Sequence, residues 1–341
     1  MNRHILQYQP AHKRLIVLGV TSKWAFAAGT VILALKRHNP NLKSDLLIFH
    51  DGQLKPQDKQ IFTDLGCHLS HGSYRSNSLA ENILKIFSPL ALSKFLCFEL
   101  LEFYEKIIWL DSDIIIQDQI DELWDYGPFS LAKEDPEFYE MRKPKTAKIN
   151  FSAPSIPSLP EFDLNAPNYN SGVIVFGQRL SNPKYYLDQC YRYLDATKEI
   201  NRFADQGAFN FLAQILKQEK SSEWQELPIK FNCHPRNQAS LYAPIVHAFG
   251  AYKLWNDGLT QACFPEWQRD YLRWIKLGGS GWMGEVENQN YLNQGCFALL
   301  TKFFDTISQS QTLIDKLTKQ IQIEKLTNAK LTQIIEKFKD L

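Results

Sequence analysis

The chain has 341 residues, enough for one large domain or two modest ones. It is 44% hydrophobic and 22% charged, and 38 Lys+Arg against 37 Asp+Glu leave a formal charge of +1. That balance excludes a generally basic nucleic-acid binder and an acidic disordered chain.

No apolar run reaches the roughly 20 residues that span a bilayer. The opening MNRHILQYQPAHKR has no continuous apolar region of signal-peptide type. The expectation is a cytoplasmic chain, at most peripheral to a membrane. Six scattered cysteines, Cys67, Cys97, Cys190, Cys233, Cys263 and Cys296, form no Cys-x-x-Cys pair and read as reduced, buried thiols.

In chain order, Leu15 to Val20 reads as a buried strand. The small-residue stretch Ala25 to Leu35 suits a helix, closed by Asn39-Pro40. Leu46 to Phe49 is a second strand, and Gln57 to Leu65 a helix stopped by Gly66. Leu90 to Phe103 is apolar on most faces and reads as one buried helix. The strands Ile107 to Leu110 and Ile114 to Ile116 follow. Strands alternating with helices predict an α/β domain on a mostly parallel sheet. Ligands of such sheets sit beyond the carboxyl ends of the strands, so the loops after Val20, Phe49 and Leu110 are the expected functional edge.

Residues 140–168 carry five prolines and little periodicity, and read as a long loop. Gly172 to Phe176 is a further strand, with Asn170-Ser171 as a polar turn before it. Phe203 to Leu216 is a helix with Asp205 near its start. In the aromatic-rich part, Phe264, Trp267, Tyr271 and Trp274 recur at helical spacing between Arg269, Arg273 and Lys276. Such a stripe is either domain core or an interfacial membrane helix.

Over residues 301–341, apolar residues recur at spacings of four and three. Ile307, Ile314, Ile321, Asn328 and Ile335 occupy positions a of a heptad, and Leu317 and Leu331 positions d. Ile at a, Leu at d and one Asn at a favour a parallel two-stranded coiled coil, hence a homodimer. Glu324 at d is a flaw, and a single helix packed on its own domain is the alternative.

The sharpest chemical signal is Trp109-Leu110-Asp111-Ser112-Asp113, directly after an apolar strand. Two carboxylates one residue apart at a strand end can turn toward one divalent cation, and oxygen ligands suit Mg²⁺ or Mn²⁺. Such an ion would offset a diphosphate leaving group as a Lewis acid. Glycosyl transfer from a nucleotide-sugar and phosphate hydrolysis of the haloacid-dehalogenase type both use this spacing. The hydrolase places its first Asp on the first strand of the domain and further carboxylates downstream, and neither feature is met here.

Three more segments follow in order: Asn170-Ser171-Gly172 before a strand, Asp205-Gln206-Gly207 opening a helix, and the run His247 to Trp255 with Gly250 and Lys253. Together with the Asp-x-Asp they resemble the retaining glycosyltransferases of family eight, the group of glycogenin and the bacterial lipooligosaccharide galactosyltransferases. The resemblance covers about residues 14 to 256.

That resemblance implies a GT-A fold, here a glycosyltransferase domain over 1–256, an aromatic-rich C-terminal part of it over 257–300, and the amphipathic helix of 301–341. It implies transfer of a hexose from a UDP-sugar with retention, to a glycan, lipid-linked glycan or protein acceptor. Asp111, Asp113 and His247 would bind Mn²⁺, with Ser112 between the carboxylates. Lys253 would contact the diphosphate, with Gly250 allowing close backbone approach. Lys94 would face the donor, Thr21 would bond the uracil and Trp24 would stack on it. Asp135 would hold sugar hydroxyls, while Asn170, Ser171, Asp205 and Gln206 would line the sugar and acceptor pocket, with Gln206 nearest the anomeric carbon. The family's Lys-Pro-Trp is Lys253-Leu254-Trp255 here, and the acidic residue many relatives carry after the first strand is missing. The competing readings are a helix cap for Asp205, core packing for Trp24 and, for the whole chain, a non-catalytic nucleotide- or sugar-binding scaffold organised by the coiled coil.

Overall fold

The computed structural model describes residues 6, 8–71, 79–84, 87–134, 158–159, 162–163, 166–199, 204–219, 221–250, 253–285, 314–322 and 324–325. Its strands are β1 (Arg14–Val20), β2 (Asp45–His50), β3 (Cys67–Ser70), β4 (Lys106–Leu110), β5 (Ile114–Ile116), β6 (Phe129–Lys133), β7 (Tyr169–Gly177), β8 (Trp224–Leu227) and β9 (Ile245–His247). Its α-helices are α1 (Ala25–His38), α2 (Pro56–Asp64), α3 (Glu81–Leu84), α4 (Leu96–Leu100), α5 (Pro183–Thr197), α6 (Gln206–Gln218), α7 (Gly258–Cys263) and α8 (Pro265–Lys276).

Seven strands form one sheet in the order β3-β2-β1-β4-β7-β6-β8. The pairs β1–β2, β2–β3, β1–β4 and β6–β8 are parallel, and β7 runs antiparallel to both neighbours. β5 and β9 form a separate antiparallel pair.

Side chains along a strand alternate between faces, and here the alternation builds two cores. Ile16, Leu18, Ile48, Ile108 and Val175 face one side with α1, α2 and α8. Leu15, Val17, Phe49, Trp109 and Phe176 face the other with α4, α5 and α6. Every residue from Ala25 to Leu35 is buried, because α1 lies between the sheet and α8.

Phe264, Trp267 and Trp274 are buried in that first core. Those three rings are therefore core, and Tyr271 is half-buried against them. No helix among the described residues is long and apolar enough to cross a membrane.

Two local expectations and one competing reading are corrected. Leu90 to Phe103 is not one α-helix: Pro89–Phe95 is a 3₁₀ segment and only Leu96–Leu100 is α-helical. The Ser88 side chain accepts from the Leu90 amide and the Ser93 hydroxyl donates to the Leu90 carbonyl, which holds the chain in tight turns. Asn170 and Ser171 lie inside β7, whose pairing with β6 continues past a bulge at Leu131/Ala132. Asp205 stands at the start of α6 without capping it, since its side chain accepts no bond from that helix. β3, β6, β8, β9 and α5 are elements that the sequence analysis does not single out.

Cys67, Cys97, Cys190 and Cys233 are buried, as expected, and Cys263 is half-buried. Cys296, Asp135 and most of 140–168 lie outside the described residues. So does most of the heptad segment. Its described parts, 314–322 and 324–325, are helical, with Ile314, Leu317 and Ile321 each more than half exposed.

Candidate active site

β4 ends at Leu110, and the chain turns through Asp111-Ser112-Asp113 into β5. The Asp111 amide donates to the Gly172 carbonyl at 2.8 Å, which extends the β4–β7 ladder by one residue and fixes the first carboxylate at the strand end. The Trp109 indole N–H donates to Asp111 Oδ1 at 2.7 Å.

β5 pairs with β9 so that Ile114 faces His247. The Ala248 amide donates to the Asp113 carbonyl at 2.9 Å. A residue 134 positions away is thus brought onto the carboxylate pair. His247 Nε2 lies 3.0 Å from Asp113 Oδ1 and 3.8 Å from Asp111 Oδ2. One ligand atom from each of the three residues falls within 4.8 Å of the others. Two carboxylates and an imidazole are a donor set that Mn²⁺ or Mg²⁺ accepts. Space is kept for the ring because Gly172, facing it, has no Cβ. These residues fit a divalent cation.

Two lysines stand on either side. Lys253 Nζ bonds Asp113 Oδ2, and it donates to the Ala248 carbonyl at 3.0 Å. Gly250, with φ +86°, takes the left-handed turn between His247 and Lys253. Burial alone would raise the Asp113 carboxyl, but Lys253 and His247 outweigh it and hold the group well below the usual carboxylate range.

Lys94 does not snorkel. It is buried, 3.0 Å from Asp111, 3.0 Å from Asp205, and 2.9 Å from the Ser171 carbonyl. Burial would lower its ammonium, yet the two carboxylates prevail and raise it above the ordinary lysine value. Burial raises the Asp205 carboxyl, and Lys94 opposes that shift.

A run of side-chain amides lines the next part of the site. Asn170 Nδ2 donates to Gln206 Oε1 at 3.3 Å, and Gln206 Nε2 donates to Glu134 Oε1 at 3.1 Å. Asn210, one turn along α6, exchanges bonds with the backbone of Tyr169 and ties the helix to β7.

The structure thus brings together Lys94, Asp111, Asp113, Asn170, Ser171, Asp205, Gln206, His247 and Lys253. Thr21 sits half-buried at the carboxyl end of β1. Trp24 is half-buried; it stacks on Trp282 at 5.3 Å, packs on Trp255 at 4.9 Å and has the Lys23 ammonium over its ring. Asn232 and Glu134 sit in no motif that the sequence analysis singles out, and Glu134 adjoins the expected Asp135, whereas Asn210 closes the helix-opening segment that begins at Asp205.

The family model for glycosyl transferase family 8 matches residues 15–258. The chain belongs to that family. Among solved structures, the bifunctional glycosyltransferase WbbM superposes with a TM-score of 0.54 at 16% identity, over 80% of this chain and 52% of that one. This chain therefore spans about half of WbbM. The galactosyltransferase LgtC, solved with donor and acceptor sugar analogues, gives 0.54 at 14% identity, over 81% of this chain and 99% of that one. An active-site mutant of LgtC gives 0.52 at 13% identity, over 77% and 95%. No curated protein matches the chain by sequence. The mostly parallel sheet with flanking helices is the GT-A fold of these neighbours, and the family-8 chain is a glycosyltransferase.

Proposed function

We propose that this family-8 glycosyltransferase moves a hexose from a UDP-sugar, with retention of configuration, to a glycan, lipid-linked glycan or protein acceptor. Mn²⁺, with Mg²⁺ as the alternative, is held by Asp111, Asp113 and His247. The observation that carries this reading is the convergence of those three donors at the end of β4, flanked by two lysines. Bound there, the cation would supply Lewis-acid charge at the diphosphate.

The chain's own residues then divide the work. Lys253, on the loop turned by Gly250, binds the diphosphate, and Ser112 lies between the two carboxylates that face it. Lys94 adds positive charge behind Asp111, and fixed charge of this kind is usually the largest contribution to catalysis. Thr21 bonds the base and Trp24 stacks on it. Asn170, Ser171 and Asp205 line the sugar, with Asp135 contributing to its hydroxyls.

Gln206 is held at both ends, by Asn170 and by Glu134, and so presents a fixed amide to the anomeric carbon. Two routes to retention suit this site: attack by that amide, or front-face attack by the acceptor assisted by the leaving phosphate oxygen. Gln206→Ala nearly abolishes transfer in the first case, and full activity removes the amide from the mechanism.

The domain assignment is a catalytic unit of 1–256, continued by 257–300, with a self-associating helix over 301–341. A peripheral membrane contact would use the outer face of α8, where Arg269, Leu272, Arg273, Ile275 and Lys276 are exposed. Sedimentation with anionic vesicles tests it, and no binding ends the idea.

The test of function is calorimetric titration of UDP with and without Mn²⁺, using Asp113→Ala as control. Mn²⁺-dependent binding that the variant loses is the expected result. Binding of neither ligand, with no turnover of any UDP-sugar, overturns the reading in favour of a non-catalytic scaffold.

A further inference from the structure

We propose that Asn232 is a positioning residue that fixes the proton of His247 on Nδ1 and links the cation site to Gln206. The inference rests on the cation reading above.

The orientation of the amides follows from two independent anchors. The Gly172 amide can only donate, and it does so to Asn170 Oδ1 at 2.8 Å. Glu134 offers a carboxylate oxygen at the other end. The Gln206 –NH₂ turns to it, and Gln206 Oε1 is left for the –NH₂ of Asn170. Both anchors give Asn170 the same orientation, with its oxygen toward Gly172 and Asn232. The Asn232 –NH₂ donates to that oxygen at 2.9 Å, so Asn232 Oδ1 faces the other way.

There it lies 2.8 Å from His247 Nδ1. A carbonyl oxygen is an acceptor only, so Nδ1 carries the proton and donates. The lone pair that binds a cation is then on Nε2, the atom 3.0 Å from Asp113.

The backbone locks this pairing. The His247 amide donates to the Cys233 carbonyl at 2.8 Å, and the Cys233 amide to the Ile245 carbonyl at 3.2 Å. Asn232 is 1% exposed and His247 2% exposed, which leaves no room for bulk water to replace the amide. The result is one hydrogen-bonded line from His247 through Asn232, Asn170 and Gln206 to Glu134. Nothing in the sequence joins these residues, since Asn232 and Asn170 are 62 positions apart.

The experiment is Mn²⁺ titration of the full chain by calorimetry, comparing wild type with Asn232→Leu and Asn232→Asp, with circular dichroism and melting curves on each. Asn232→Leu keeps the volume and removes the acceptor, and weakens Mn²⁺ binding by about 10- to 100-fold. Asn232→Asp restores an acceptor for Nδ1–H and restores Mn²⁺ binding. It loses the donor to Asn170, so its UDP-sugar turnover stays low while its Mn²⁺ affinity recovers. Equal Mn²⁺ affinity in wild type and Asn232→Leu overturns the inference and leaves the cation reading standing. No Mn²⁺ uptake by wild type overturns the cation reading, and the inference falls with it.

A second measurement needs no folded Asn232 variant. Long-range ¹H–¹⁵N spectra of the wild-type chain with Mg²⁺, with His247 assigned by His247→Gln, show the His247 proton on Nδ1. A proton on Nε2 instead overturns the proposal.

Discussion

The Lys94 ammonium lies 3.0 Å from the Asp205 carboxylate, and both groups are buried. Asp111 completes the cluster on the other side of the ammonium. Removing one partner of a buried pair leaves an uncompensated charge, which costs about 3–5 kcal/mol. Lys94→Met is expected to lose that much in urea unfolding. Adding Asp205→Asn to Lys94→Met recovers part of the loss, because one stranded carboxylate is gone. Simple addition of the two single effects in a double-mutant cycle would show that the groups do not interact.

Asp113 makes stability depend on acid. Its carboxyl titrates below the unfolded value because Lys253 and His247 outweigh burial. A depressed carboxylate contributes stability that is present above the unfolded pKa, about 3.9, and is lost as pH falls toward the folded value. In metal-free buffer, the urea midpoint of wild type is expected to drop more steeply below about pH 4 than that of Asp113→Asn. Parallel curves for the two proteins would remove Asp113 from the acid dependence.

The parts of this site that the sequence makes legible are those written locally. Asp111 and Asp113 follow an apolar strand, and Lys253 shares one loop with His247 and Gly250, so short motifs suffice. Asn232 and Glu134 act only through pairings that the β5–β9 register and the amide line create, and no local pattern encodes these. Asp205 shows the same limit from the other side. By type and position it suits a helix cap, but Lys94, far earlier in the chain, takes its carboxylate instead. The helix expected over Leu90 to Phe103 failed for a local reason, as the turn bonds of Ser88 and Ser93 override the apolar pattern.

Gly172 tests the metal geometry without touching a ligand. A Cβ at this position would lie 2.0 Å from His247 Cε1 and 2.3 Å from Nδ1, closer than atoms can approach. Gly172→Ala is expected to push the ring off the carboxylates while β7 stays paired. Mn²⁺ affinity falls by about tenfold or more, the range seen when a ligand's support is lost. Unchanged Mn²⁺ affinity would mean that the ring yields without leaving the site.

Gly29 gives a stability prediction in which two effects oppose. In a helix interior, Gly→Ala ordinarily gains about 1 kcal/mol. Here the added methyl would meet the Trp274 ring at 2.1 Å, in the packed interface between α1 and α8. Overpacking of that kind costs about 1–3 kcal/mol, which exceeds the propensity gain. Gly29→Ala therefore lowers the melting temperature, whereas a rise would show that α8 can move away from α1 freely.

The helix over 314–322 bears on self-association. Its heptad residues Ile314, Leu317 and Ile321 are 51 to 54% exposed, so the chain's own described residues do not cover this stripe. A second copy in parallel register would pair Ile with Ile at a and Leu with Leu at d. Sedimentation equilibrium of the full chain is expected to give a dimer, and Leu317→Lys with Ile321→Lys a monomer with unchanged Mn²⁺ affinity, because neither residue is among the cation ligands. A monomeric wild type across the micromolar range would discard the coiled coil and leave the stripe to a contact of another kind.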